Sequence, residues 1–179
     1  CINAGINIVG INNSGRTMLG QWEYQIGEGD ALHMSDDLWI SRWLLSMVCH
    51  KYNLWVSLHP RPINDDEFSG VGCHTNFSTR NMRNDDGYDV ILKAIKKLKN
   101  KHKEHIKVYG EFNENRLTGN WDTSDIKEFT WGIADRYSSI RIPRNVYDDK
   151  KGYLEDRRPA ANCDPYAVCL RMLETIVGE

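Results

Sequence analysis

A chain of 179 residues, 40% hydrophobic and 27% charged, has the length and composition of one globular domain with a sizeable core. Its net charge of −2 gives no overall attraction to nucleic acid or to a membrane surface, and no apolar run approaches the ~20 residues that cross a bilayer. The five cysteines form no Cys-x-x-Cys pair and no basic, apolar leader is visible, which points to reduced thiols in a cytoplasmic protein. The first residue is Cys1, not Met, so a fragment or processed product is expected.

Residues 2–11 alternate Ile2, Ala4, Ile6 and Ile8 against Asn3 and Asn7, the period of a half-buried strand. A turn at Asn12–Gly15 and a second alternating run, Met18–Ile26, predict a hairpin. Glu23 lies there between Trp22 and Tyr24, either in a partly apolar setting or on the wet face. Ser35 is placed to cap a helix with Asp36 and Asp37 in its first turn. Trp39, Ile40, Trp43, Leu44, Met47 and Val48 follow at helical spacing and read as its core face, and Leu54–Leu58 reads as a short strand.

From residue 59 the character changes. His59-Pro-Arg-Pro62 leads into an acidic loop and then Ser69-Gly-Val-Gly-Cys-His-Thr-Asn-Phe-Ser78. Its glycines permit a tight turn or a close backbone approach to a ligand, and His74 falls on a strand-like run. A lone Gly-x-Gly is weak evidence for phosphate binding, and a lone histidine is more often structural than a ligand. Residues 87–106 predict one amphipathic helix with Tyr88, Ile91, Leu92, Ile95 and Leu98 inward. Seven lysines between Lys93 and Lys107, without arginine or interleaved aromatics, read as a solvated face, not a nucleic-acid patch. Thr123 or Ser124 is expected to cap a helix burying Ile126, Phe129, Thr130 and Ile133, and Arg136, Arg141 and Arg144 cluster along an expected strand. Convergent arginines imply either an anionic ligand or several buried ion pairs.

The densest chemistry is in Gly152-Tyr-Leu-Glu-Asp-Arg-Arg-Pro-Ala-Ala-Asn-Cys-Asp-Pro-Tyr166. Arg157 and Arg158 can fork onto carboxylate or phosphate, and Glu155 can hold a cation or neutralise them. The plainer alternative is a surface salt-bridge loop before a helix. Asp164 and Pro165 open that last helix, whose core face is Val168, Cys169, Met172, Leu173 and Ile176.

Taken in order, Gly20-Gln-Trp-Glu-Tyr-Gln-Ile-Gly27, Gly70-Val-Gly-Cys-His-Thr-Asn-Phe-Ser-Thr79, Arg116-Leu-Thr-Gly119, Asp135-Arg-Tyr-Ser-Ser-Ile-Arg-Ile-Pro-Arg144 and the 152–166 stretch resemble the C-terminal part of the catalytic domain of eukaryotic-type glutamine synthetase. The resemblance runs collinearly over essentially all of the chain. It implies an α+β fold, an antiparallel sheet forming an active-site funnel, or partial barrel, flanked by helices, here without the family's small N-terminal domain. It implies ligation of ammonia to L-glutamate, driven by ATP through γ-glutamyl phosphate, with Mg²⁺ or Mn²⁺, in homo-oligomers of stacked rings. By position, Glu23, His74 and Glu155 match metal ligands. Ser69, Gly70, Arg116, Arg136 and Arg157 match the glutamate-binding set. Asn76, Phe77, Ser78, Arg136, Arg141, Tyr153 and Glu155 match the nucleotide-binding set. Asp122, Arg136 and Arg141 match catalytic positions. Such chemistry suits these residue types, because phosphoryl transfer between anions needs cations and guanidiniums where charge develops.

The sequence also departs from that pattern. Arg16 stands where the family has a second glutamate ligand, and a guanidinium repels a cation. Ser69 replaces an asparagine, Asp122 the longer glutamate of the flap, and Trp121 the histidine before it. These departures support an alternative, a catalytically silent relative serving as a structural or interaction protein. Nucleic acid and membrane are not expected as partners.

Overall fold

The computed structural model describes residues 1–13, 20–63 and 69–178, and the chain divides into two units, Cys1–Leu58 and His59–Glu179. Arg16, the start of the expected Met18–Ile26 strand and most of the acidic loop fall outside the described residues.

In the first unit, strands β1 (Ile8–Asn13) and β2 (Trp22–Ile26) pair antiparallel, as their alternation predicts. The first strand begins later than expected. Ile2–Ala4 is a 3-10 turn closed by Gly5 in the left-handed region, so Ile2 is exposed and, of that run, only Ile6 is buried. Helix α1 (Ala31–Lys51) also starts earlier than expected. Asp30 caps it, accepting the backbone N–H groups of Leu32 and His33, and Ser35 instead turns its hydroxyl back to the Ala31 carbonyl. The buried positions of α1 are Ser35, Asp37, Ser41 and Arg42, while Trp39, Ile40, Trp43, Met47 and Val48 are exposed. Ser41 donates to the Leu38 carbonyl, which leaves the Tyr24 hydroxyl to donate to Ser41, so a polar contact ties β2 to α1. The strand expected at 54–58 is absent, and Trp55 is 97% exposed.

The second unit is built on a four-stranded sheet in the order β3 (Thr75–Phe77), β6 (Leu154–Asp156), β5 (Ile140–Ile142), β4 (Trp131–Ile133). β6 runs antiparallel to both neighbours, as expected, while β4 and β5 add one parallel pair at the sheet's end. No closed barrel forms among the described residues. The helix expected from Thr123 is absent: Asp125 makes a turn by accepting the Lys127 N–H, and the chain then enters β4.

Helices α2 (Arg80–Arg83), α3 (Gly87–Asn100), α4 (His102–Ile106), α5 (Arg144–Asp149) and α6 (Pro165–Ile176) complete the unit. The helix expected over 87–106 is broken at Lys101 into α3 and α4. Its apolar stripe is as read: Ile91, Ile95 and Leu98 join Ile140, Ile142, Leu154, Val168, Met172 and Ile176 in one core. Each such side chain contributes roughly 1.5–3 kcal/mol by leaving water. Asp164 caps α6 through the Tyr166 N–H, with Pro165 in its first turn, as the sequence predicts, although Leu173 is partly exposed.

A polar chain runs through this core. Arg158, 0% exposed, grips Asp156 with its Nε and Nη2 at 2.9 and 2.6 Å and lies against the rings of Tyr109 and Phe129. Tyr109 donates to Asp156 Oδ2 as well, at 2.7 Å, so His105 must donate to the Tyr109 oxygen from Nδ1, and its Nε2 accepts from Thr175. Arg158 also donates to Nδ1 of His102, whose Nε2 donates to the Ile126 carbonyl. Burial alone would raise the Asp156 carboxyl, but Arg158 and these hydrogen bonds hold it below the usual carboxylate range. Burial and the nearby Arg158 charge push His105 down to about 4.

That last shift fixes a pH dependence. The unfolded chain binds a proton near pH 6.5 that folded His105 refuses until about pH 4, so this contribution is complete above 6.5 and is lost as pH falls towards 4. Urea unfolding between pH 7 and 4 should show a loss of roughly 3 kcal/mol from this group. The His105→Gln variant should show a shallower slope over the same window.

Candidate active site

β6 presents alternate residues to opposite sides. Leu154, Asp156 and Arg158 face the core, whereas Glu155 and Arg157 meet His74, Arg141 and Asp122. In place of the surface loop that was the plainer alternative, residues 154–156 form a buried central strand. Glu155 Oε1 lies 3.3 Å from His74 Nδ1 and 3.0 Å from Arg157 Nη1, and its Oε2 is in close contact with Arg141 Nε. Burial opposes this charge, but the His74 bond and the Arg157 and Arg141 guanidiniums hold the Glu155 carboxyl below its ordinary value.

His74 precedes β3 and projects beside Glu155 across the β3–β6 pair. Since the carboxylate accepts from Nδ1, Nε2 is the free acceptor, and Arg116 Nη2 donates to it at 3.3 Å. Removal from water, Arg157 and Arg116 push His74 down to about 4, against the pull of Glu155. The side chain is still 35% exposed, so the two guanidiniums are the firmer cause, and the ring is neutral at pH 7.

Arg116 is placed by a bulge. Thr75 faces Asp156 and Gly72 faces Ala160, three steps on one side and four on the other, so one extra residue is taken up within 157–159. The carbonyls of Arg157 and Arg158 in that bulge turn to Arg116, whose Nη2 and Nη1 donate at 2.8 and 3.2 Å. The guanidinium is threaded past two glycines. A Cβ on Gly72 would lie 2.3 Å from Arg116 Nη2, and one on Gly70 would lie 2.4 Å from Arg116 Cγ. Burial and Arg157 lower Arg116 to about 10, so it remains charged at pH 7.

Arg157 carries the site outward. Its N–H pairs with the Ser139 carbonyl, and Nη2 donates to the Asp122 carbonyl at 3.2 Å. Trp121 and Asp122 both have positive φ (55° and 60°), a conformation uncommon outside glycine. Burial lowers Arg157, against the pull of Glu155, and the charges of Arg141 and of Arg136, on the exposed turn between β4 and β5, lower it further.

The structure thus brings together His74, Arg116, Asp122, Arg136, Arg141, Glu155 and Arg157. Gly70 backs Arg116, and Ser69 beside it is buried. Asn76 pairs with Glu155 on β3 and is exposed. Phe77 and Tyr153 pack on the core, and Ser78 accepts from Arg83. Glu23 is exposed on β2 opposite Asn12, in the other unit. Sequence reading passed over Asn113, which shares a 3-10 turn with Arg116 and donates to the Arg158 carbonyl at 2.8 Å.

The His74–Glu155 pair suits a hard divalent cation. Cis ligands of an octahedral ion at about 2.1 Å are roughly 3 Å apart, close to the 3.3 Å between Nδ1 and Oε1, so such an ion would take the place of the proton that Nδ1 shares with Glu155. Among the described residues no cluster of three such ligands forms. The Gly72→Ala variant should unfold at lower temperature, by about 1–3 kcal/mol of stability, because the new Cβ displaces Arg116; differential scanning calorimetry checks this.

The family model of the glutamine synthetase catalytic domain matches residues 3–94, just over half of the chain. The chain is 50% identical over 177 residues to glutamine synthetase cytosolic isozyme 2 of Glycine max, covering 99% of this chain and 49% of that protein. It is 49% identical over 177 residues to cytosolic isozyme 1-1 of Oryza sativa subsp. japonica, again covering 99% and 49%. The chain spans about half the length of the curated relatives it matches. A cryo-EM structure of Plasmodium falciparum glutamine synthetase superposes with a TM-score of 0.76 at 17% identity, over 97% of this chain and 34% of that one, which establishes the fold. On that family match and that identity, the chain belongs to the glutamine synthetase family, within the catalytic domain.

Proposed function

We propose that this chain contributes the nucleotide and phosphoryl-transfer side of an ATP-dependent ligase that joins ammonia to L-glutamate through γ-glutamyl phosphate. The observation that carries the reading is the His74–Glu155 pair ringed by Arg141, Arg157 and Arg116, in a family whose named relatives are glutamine synthetases. Their cytosolic naming supports a cytoplasmic location, and a homo-oligomer of stacked rings is proposed from the family resemblance alone.

In this proposal His74 and Glu155 hold Mg²⁺ or Mn²⁺, and the exposed Glu23 serves as a ligand of a second ion. The bound cation would offset phosphate charge. Arg136 and Arg141 stabilise the oxygens of the transferred group, because donors fixed before reaction need no reorganisation. Asn76, Phe77, Ser78 and Tyr153 line the nucleotide, and Arg157 with Ser69 and Gly70 receives glutamate. Arg116, 3% exposed with both terminal nitrogens on carbonyls, enters as the wall behind His74. Asp122 takes the ammonium proton.

A second reading, a catalytically silent relative, is favoured by Arg16 in place of a glutamate ligand and by the shorter Asp122. Thermal unfolding with and without Mn²⁺ plus ATP discriminates. At 100 times its dissociation constant the ligand adds ~2.7 kcal/mol, a rise of several degrees at this size. The rise should vanish in His74→Ala. A cooperative transition that metal and ATP leave unmoved would overturn the ligase reading.

A further inference from the structure

We infer that Thr123 is a positioning residue for the site: its hydroxyl pins a strained turn, residues 120–123, that carries Asp122 and holds the Asp122 carbonyl on Arg157. The inference deepens the proposed function and rests on it, since it takes Asp122 and Arg157 as working parts of the site.

Trp121 and Asp122 are the two central residues of this turn, which the Thr123 N–H closes on the Asn120 carbonyl at 3.1 Å. Both have positive φ, a pattern that turns normally meet with Asn or Gly. Aspartate tolerates that conformation, but a bulky tryptophan adopts it at a steric cost, so other contacts must hold it there. Burial does not, since Trp121 is 49% exposed. The Thr123 side chain does. Its Oγ1 lies 2.7 Å from the same Asn120 carbonyl and 3.1 Å from the Arg116 carbonyl, so one hydroxyl proton serves both the start of the turn and the segment that places Arg116. Thr123 is itself buried, and water does not compete for these bonds.

The peptide joining Asp122 to Thr123 is thereby held on both sides. Its N–H meets Asn120, and its carbonyl accepts from Arg157 Nη2 at 3.2 Å. The base of the loop is tied by the Thr118–Asp125 bridge and by Ser124, whose hydroxyl lies 3.2 Å from Ser139 Oγ. The Ser139 carbonyl in turn accepts the Arg157 N–H at 2.9 Å, so turn and arginine share an anchor. Without the Thr123 hydroxyl, the closing backbone bond and Arg157 must hold Trp121 against its preferred negative φ. The turn then relaxes, the Asp122 carbonyl leaves Arg157, and the carboxylate moves with it. The hydroxyl that reads in sequence as a helix cap donates backwards along the chain instead.

The test is NMR of the chain at pH 7, without metal, ATP or glutamate. A positive φ brings a residue's own amide and α protons close together, so the NOE between them is strong. Wild type should show it at Trp121 and Asp122. Thr123→Val, which keeps the branched shape and removes the hydroxyl, should lose it, and the Asp122 carbonyl carbon signal should shift as its donor departs. Thr123→Ser should keep the wild-type signals. Glycine takes positive φ without steric cost, so adding Trp121→Gly to Thr123→Val should restore the Asp122 signals. If Thr123→Val does not fold, Thr123→Ala carries the same comparison. Weak NOEs at both residues in wild type would overturn the inference without any variant. So would a folded Thr123→Val whose Trp121 and Asp122 signals match wild type while only its melting temperature falls. The two readings fail separately: these signals are read without ligand, and the thermal shift with Mn²⁺ plus ATP is read at His74.

Discussion

The second unit depends on one buried ion pair. Asp156 and Arg158 are two residues apart on the core side of β6, and their bidentate contact has no water to compete with it. A pair of this kind costs desolvation, which is offset only when every remaining donor and acceptor is satisfied. Here Tyr109, His105, Thr175 and His102 complete the set, tying α4 and α6 to the strand. Removing one partner would leave a charge alone in the core, so the network holds β6 in a single register.

That register decides the chemistry. With Asp156 and Arg158 fixed inward, period two sends Glu155 and Arg157 to the other side. A slip of one residue would bury the site and expose the core pair. The strand therefore carries two different ionic systems back to back: one closed and structural, the other ringed by His74, Arg141 and Asp122. The bulge that follows redirects the chain, and the glycines at 70 and 72 admit the guanidinium that fills it.

Positive charge is distributed unevenly across that site. Glu155 contacts His74 and two arginines, and Arg116 stands behind the ring. Such an array favours an incoming anion.

The sequence by itself determined the local rules and the family. Period two predicted the hairpin, 3.6-residue spacing the stripe of α3, and Asp164-Pro165 the start of α6, because each rests on neighbours within a few residues. Five ordered motifs marked the family. The tertiary structure alone decided the rest. The face of α1 followed packing, not hydrophobicity, so its tryptophans lie exposed and its polar residues buried. Thr123 and Ser124 offered a helix cap that the turn at Asp125 overrode. Arg157 and Arg158 look alike in sequence, yet one serves the site and the other the core, because only strand pairing sets which side of β6 each faces. Asn113 carried no signal of its own, since its partners are carbonyls created by a bulge some 45 residues away.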